Sequence, residues 1–308
     1  MTTTPTSAHP EVLRMAAFTD DPAGGNPAGV VLDAADLDET TMLAIAADLG
    51  YSETAFVIPA AATEDATASE VTDSADGGAD GTGDAYRAGL RYFSPVAEVA
   101  FCGHATIATA VALAARRGPR TIHFTTPAGP VPVTTTQDGC RVTAMLTSPP
   151  GRSAAAPTQL VVDALAALGW HHEDLDPDLP PHVAHAGNDH LILNVGTRGR
   201  LAQLDYDVKT LRALMEEHGL TTVHLSWRAS DNEFHARDPF PVGGIYEDPA
   251  TGAAAAAFGA YLNILNGPHD ATFTIHQGED MGRPSLLHVT TRINTTTIEV
   301  SGTAVTLD

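Results

Sequence analysis

The chain has 308 residues, 43% of them apolar, and a formal net charge of -22. That is enough length for two domains and enough apolar material for a sizeable core, while the charge repels nucleic acid and anionic membrane, so neither is an expected partner. Two cysteines, Cys102 and Cys140, exclude a disulfide framework and argue against a structural thiolate zinc site; the single lysine, Lys209, sits in a polar helix start and is a poor Schiff-base anchor.

Val12 to Phe18 reads as a strand, followed by a Gly/Pro/Asn turn over residues 24–29 and a short strand at Val30 to Leu32. Asp36, with Glu39 three residues later, reads as the capping box of a helix through Met42, Leu43, Ile45, Ala46 and Leu49, ended by Gly50. Thr54 to Ile58 is apolar and partly β-branched, hence a strand. Residues 60–85 contain seven acidic residues, no basic one and one aliphatic larger than Ala, Val71. That composition predicts a disordered surface insertion. Arg87 to Phe93 returns to strand, and His104 to Arg117 reads as an Ala-rich helix with Arg116 and Arg117 in its last turn. Three strands follow at 121–126, 131–135 and 141–146. Helices are expected at 160–168, 208–218 and 252–265, strands at 190–195 and 223–227, and several more strands from 271 to 307. The start of the chain lacks the pattern of a secretory signal, and no apolar run is long enough for a bilayer. A soluble cytoplasmic protein is expected.

The chain repeats itself. Arg91-Tyr-Phe-Ser-Pro95 is followed by a turn and then by Gly103 at the start of an Ala-rich helix. Arg237-Asp-Pro-Phe-Pro241 is followed by a turn and then by Gly252 at the start of another. Two similar domains with a cleft between them are expected. Within this pattern, Glu53 stands where a helix gives way to a strand, either facing a cleft that desolvates it or lying on the surface. His104, beside Gly103, is either a proton donor at an anion-binding helix start or a histidine satisfied within the fold. Asp248 and Thr251 either cap the second helix or form a second anion clamp with Gly252. The histidines lack i, i+4 spacing on an apolar helix, so no metal is expected. Ser52 and Ser148 lack the pattern of a hydrolase nucleophile.

Five motifs carry a resemblance: Gly25-Asn-Pro-Ala28, Ser52-Glu-Thr-Ala-Phe-Val57, Arg91-Tyr-Phe-Ser-Pro95 with Cys102-Gly-His-Ala-Thr106, Glu247-Asp-Pro-Ala-Thr-Gly252, and Gln277-Gly-Glu-Asp-Met-Gly-Arg-Pro-Ser285. In this order the chain resembles the PhzF-like family of phenazine biosynthesis, which shares the diaminopimelate epimerase fold. The resemblance implies an α+β protein of two similar domains, each a β-sheet curled into a barrel round a central helix. The expected N-terminal domain covers residues 10–118 with the C-terminal strand 297–308 and the acidic insertion 60–85; the C-terminal domain covers 119–296. It further implies Glu53 as general acid/base, His104 and Asp248 as its polar support, and Asn26, Ser52, Gly103, Thr251 and Gly252 around the substrate. Members need no metal or organic cofactor and commonly form homodimers. One departure is Ala253, where the family usually has serine, and the second helix start offers no thiol to match Cys102.

The resemblance thus implies a cofactor-independent isomerase that shifts a proton on a small carboxylate or amino-acid-like substrate. An amino-acid epimerase or racemase, or a ligand-binding member of the fold without turnover, are the alternatives.

Overall fold

The computed structural model describes residues 10–59 and 85–308. The acidic segment 60–85, expected to be disordered, lies outside them save for its last residue. The elements of the first half are β1 (Leu13–Ala17), β2 (Asn26–Val31), α1 (Glu39–Leu49), β3 (Glu53–Pro59), β4 (Tyr86–Phe93), β5 (Glu98–Val99), α2 (Gly103–Arg117), β6 (Thr121–Thr126), β7 (Gly129–Asp138) and β8 (Arg141–Thr147). Those of the second are β9 (Arg152–Ala155), α3 (Thr158–Leu168), β10 (His182–His185), β11 (Asp189–Val195), α4 (Arg198–Ala202), α5 (Val208–His218), β12 (Thr222–Ser230), β13 (Glu233–Pro239), β14 (Glu247–Asp248), α6 (Gly252–Leu265), β15 (Ala271–Gln277), β16 (Ser285–Thr291) and β17 (Glu299–Thr306).

The strands join in one sheet that rolls up twice. In the first roll β1 and β2 are antiparallel, β2 and β3 parallel, β3 and β4 antiparallel, and β4 and β6 parallel. Then β6, β7, β8 and β17 follow antiparallel, and β17 returns to β1, which closes a ring of eight strands. The second roll repeats these senses in the same order through β10, β11, β12, β13, β15, β16 and β17, with β9 beside β10. Its seam is drawn together where Ser148 and Gly151 donate backbone bonds to Ile298 and Thr296, at 2.8 and 2.7 Å. The result is an α+β protein of two similar barrels.

A helix threads each barrel. In α2 every residue from Gly103 to Ala114 is buried, and in α6 nearly all from Gly252 to Asn263. A helix buried on all sides belongs inside a core rather than on it, and runs of Ala, Gly and Thr keep these two thin enough to fit inside a ring of strands. At Gly259 of α6 even a methyl would lie 2.8 and 2.9 Å from Ile298 Cγ2 and Val289 Cγ1.

The first ring runs past residue 118, since β6, β7 and β8 reach from β4 to β17. Two expectations are corrected. The cap of α1 is Asp38, whose carboxylate accepts from the Thr41 amide at 2.8 Å, and not Asp36. The second strand begins at Asn26, inside the segment read as a turn, because its pairing with β1 extends through Ala17 to Asn26.

Candidate active site

The two central helices point their first residues at each other. A Cβ built on Gly103 would lie 3.7 Å from the Cα of Gly252, and one built on Gly252 would lie 3.9 Å from the Cα of Gly103. Neither helix is capped by a side chain: the capping positions are Cys102 and Thr251, and neither side chain accepts a bond from the first turn. The first intrahelical bonds run from Thr106 N to Cys102 O and from Ala255 N to Thr251 O. The amides ahead of them are outside intrahelical bonding, and a helix start of this kind attracts an anion through its N–H groups and its dipole. Two such ends facing each other repel, so a bound anion relieves both.

Glu53 opens β3, opposite Ala28 of β2, with its side chain 16% exposed. Its Oε2 lies 3.5 Å from Nε2 of His104, the second residue of α2. Ser52 Oγ is 3.4 Å from the same nitrogen, and Cys102 Sγ is 3.3 Å from Nδ1. Burial lowers the pKa of His104, against the opposing pull of the Glu53 charge and the Pro27 carbonyl. Burial also pushes the Cys102 thiol well above its usual value, with the Glu53 carboxylate adding to the effect. The ring is thus held neutral and the thiol protonated. Glu53, Cys102 and His104 offer donor atoms that all lie within 4.8 Å of one another, so they could hold a metal.

Asp248 forms the opposite half of the site. Asn26 Nδ2 donates to its Oδ1 at 2.8 Å and to the Ala250 carbonyl at 3.0 Å. The Thr251 hydroxyl donates to Oδ2 at 2.6 Å, which is why it does not cap α6. Burial pushes the Asp248 pKa up to about 8; the Thr251 and Asn26 bonds oppose this, and the charges of Glu53 and Asp238 reinforce it. Asp238 stands directly opposite Asp248 in the β13–β14 register, is fully buried, and accepts from Thr222 Oγ1 at 3.0 Å.

A cavity of about 630 Å³ adjoins the helix starts, walled by Gly103, Gly252, Ala253, Phe101, Leu146 and Ala256 among others. None of the described residues lining it is Lys or Arg. A carboxylate there would be held by backbone amides, as the net charge of the chain also requires. Glu53, His104 and Asp248 are not part of this wall, which ends at the two glycines.

The structure therefore gathers the residues singled out in the sequence into two linked groups: Glu53 with Ser52 and His104, and Asp248 with Asn26 and Thr251, joined at Gly103 and Gly252. Sequence reasoning missed three contributors. Gln277, buried, donates to the Asp248 carbonyl at 2.8 Å and to Thr251 Oγ1 at 3.0 Å, and accepts from the Thr251 amide. It lies in a quoted motif, which was the available signal. Cys102 is buried and touches His104. Phe18 has φ 64°, a positive value found in no other non-glycine among the described residues. Its ring lies 3.5 Å from where a Cβ on Gly252 would be. Nothing in the sequence marks that strain.

The chain resembles known proteins along nearly its whole length. The description "phenazine biosynthesis-like protein" matches residues 15–308. The uncharacterized isomerase YddE of Escherichia coli (strain K12) is 33% identical, over 97% of this chain and 96% of its own. The trans-2,3-dihydro-3-hydroxyanthranilate isomerase of Pseudomonas chlororaphis is 29% identical over 94% of each. A crystal structure of a PhzF-family phenazine biosynthesis protein from Bacillus anthracis superposes with a TM-score of 0.77 at 26% identity, covering 96% of both chains. A match across nearly the whole chain, with named isomerases among the relatives, shows that this chain belongs to the phenazine biosynthesis-like (PhzC-PhzF) family and is an isomerase.

Proposed function

We propose that the protein shifts a proton on a small carboxylate or amino-acid-like substrate without a cofactor, Glu53 serving as general acid/base. The observation that carries this reading is the Glu53 carboxylate 3.5 Å from His104 Nε2, at a helix start that faces a second one across Gly103 and Gly252. Glu53 takes a proton from a carbon acidified by a neighbouring carboxylate or double bond and returns it elsewhere on the same face. Negative charge that develops on the substrate is stabilised by the amides at both helix starts, which are already aimed and need no rearrangement. His104, kept neutral by burial, donates to the substrate or relays the proton. Asp248 holds Asn26 and Thr251 in place beside the second helix start.

An epimerase with one base on each face of the carbon is less well supported. Two groups attacking one carbon from opposite faces stand roughly 6 to 7 Å apart, each at about 3 to 3.5 Å. The Glu53 and Cys102 donor atoms lie within 4.8 Å of each other, and the second helix start supplies Thr251, Gly252 and Ala253 in place of a thiol.

The test begins with trans-2,3-dihydro-3-hydroxyanthranilate, the compound in the name of the Pseudomonas relative, and extends to other cyclic unsaturated amino acids. Each is labelled with deuterium at the migrating position and turned over in ordinary water. A single carrier retains part of the label; complete washout with every substrate argues for two bases or a fully exchanging one. Glu53→Gln should fold, bind carboxylates and lose roughly 10² to 10⁴ in turnover, the usual worth of one positioned acid/base. Turnover within a few-fold of the unaltered protein would remove Glu53 from the mechanism. Pairing into a homodimer belongs to the same proposal and is checked by light scattering.

A further inference from the structure

We propose that Glu53, Cys102 and His104 also form a binding site for a thiophilic divalent cation, Zn²⁺ foremost, and that its occupation withdraws Glu53 from proton transfer. The binding half stands on geometry alone; the inhibitory half rests on Glu53 being the proton carrier.

A thiolate, an imidazole and a carboxylate make a zinc donor set. With Zn–S near 2.3 Å and Zn–N and Zn–O near 2.0 to 2.2 Å, tetrahedral angles put the ligand atoms about 3.6 Å apart for S to N and about 3.4 Å for N to O. Here Cys102 Sγ is 3.7 Å from His104 Nε2, and that nitrogen is 3.5 Å from Glu53 Oε2. The ion would take Nε2 of His104, one oxygen of Glu53 and the Cys102 sulfur, leaving a fourth position for water near the Ser52 hydroxyl. The sulfur, 3.3 Å from Nδ1, must swing about χ1 of Cys102 toward the Nε2 edge, and the Cys102 and Glu53 donors, within 4.8 Å of each other, must close to about 3.6 Å. The backbone that carries these side chains is held by the buried start of α2 and by the β2–β3 pairing.

Charge decides between attraction and repulsion. The positive ends of α2 and α6 oppose a cation. Against them stands the Glu53 carboxylate, joined on binding by the thiolate that the Cys102 thiol becomes. Binding forms a Zn–S, a Zn–N and a Zn–O bond. The thiol proton leaves to solvent, and nothing is oxidised. A Glu53 oxygen committed to the ion has lost the lone pair with which it would accept a substrate proton.

The experiment uses the full chain carrying Cys140→Ser, since Cys140 is exposed and would otherwise offer a second thiol. Co²⁺ is added first as a spectroscopic probe, then Zn²⁺ as chloride in a calorimeter. One equivalent of Co²⁺ should give a sulfur-to-metal charge-transfer band with the intense visible bands of a tetrahedral ion. Cys102→Ser should abolish the charge-transfer band. His104→Gln should weaken Zn²⁺ by roughly tenfold or more, since even an outer partner of a ligand is worth 10 to 100-fold. X-ray absorption of the zinc-loaded protein without a change at Cys102 or His104 should show one sulfur neighbour, so the site stays testable if a variant fails to fold. Zinc should stop the isomerase reaction and a chelator should restore it. No sulfur-to-metal band, or a zinc shell without sulfur, overturns the site while leaving Glu53→Gln to judge the proton carrier. Zinc bound through sulfur with the reaction running undiminished overturns the withdrawal of Glu53.

Discussion

Arg237 clasps Glu247 in a buried ion pair: Nε donates to Oε1 at 2.9 Å and Nη2 to Oε2 at 2.5 Å, with the side chains 8% and 3% exposed. Arg91 and Glu98, at the matching place in the first barrel, make the same two-pronged contact at 2.7 Å but are 30% and 28% exposed. In both halves the pair ties the end of a long strand to the two-residue strand that leads into the central helix. Exposure sets their worth. Glu247→Ala leaves a buried guanidinium with only the Ala202 carbonyl and the more distant Asp280 carboxylate, at 4.0 Å, as partners, and should cost about 3 to 5 kcal/mol. Glu98→Ala leaves Arg91 solvated and paired with Glu39, and should cost about 0 to 1 kcal/mol. Urea unfolding of the two variants checks the contrast; equal losses would mean that burial does not separate the pairs.

Gly103→Ala and Gly252→Ala are expected to separate stability from binding. Every neighbour of the added methyl lies at ordinary contact distance, from 3.5 to 3.9 Å, and neither residue needs a positive φ. Alanine also favours helix over glycine. The melting temperature should therefore hold or rise. The methyl, however, projects into the gap between the helix starts, where a substrate carboxylate would meet the amides. Affinity should fall by roughly tenfold or more, about 1.4 kcal/mol per tenfold. Unchanged affinity, measured by calorimetry with a carboxylate ligand, would place the anion elsewhere.

Asp248 should make the protein less stable as pH rises. Burial raises its folded pKa from the ordinary 3.8 to about 8. Between these values the folded state holds a proton that the unfolded state has lost, so stability declines as pH climbs from about 4 to about 8 and levels off outside that window. Asp248→Asn cannot ionise and should remove that part of the decline. Thermal melts of both proteins from pH 4 to pH 9 measure it; parallel curves would show that Asp248 does not titrate in this window.

The sequence made the barrel cores legible where composition and period were strong. The helices at 208–218 and 252–265 and the strand at 121–126 have the expected bounds. Other features depended on partners that a local reading does not see. β9 and β10 are short and rich in Ala, Ser and His, and they become strands by pairing with each other and with β11. Asp36 and Asp38 both precede the same helix, and only the backbone path decides which carboxylate reaches the Thr41 amide. At the site, Glu53 was ambiguous on spacing alone. The parallel pairing of β2 with β3, and the burial of α2 inside the same ring, bring it to His104. The motifs pointed to the candidate residues but not to the contact of Cys102 with His104, nor to the bonds that Gln277 makes.

Gln277 is a positioning residue for Asp248, 29 residues before it in the chain. Its amide nitrogen donates to Thr251 Oγ1, which leaves that hydroxyl free to donate to Asp248 Oδ2 at 2.6 Å. Its amide oxygen accepts from the Thr251 backbone at 3.0 Å and fixes the same residue a second time. Gln277→Leu keeps the bulk and removes all three bonds, at about 1 to 3 kcal/mol for each buried group left unpaired. A merely structural glutamine would lower stability equally at every pH. A positioning one does more. With Thr251 released, Asp248 loses the hydrogen bond that most opposes the burial effect, so its pKa should rise further. The proton is then held to higher pH in the folded state, and the declining limb of the stability curve should extend upward beyond that of the unaltered protein. Melts of Gln277→Leu across the same pH range test this. A curve lowered uniformly, with its shape unchanged, would reduce Gln277 to packing.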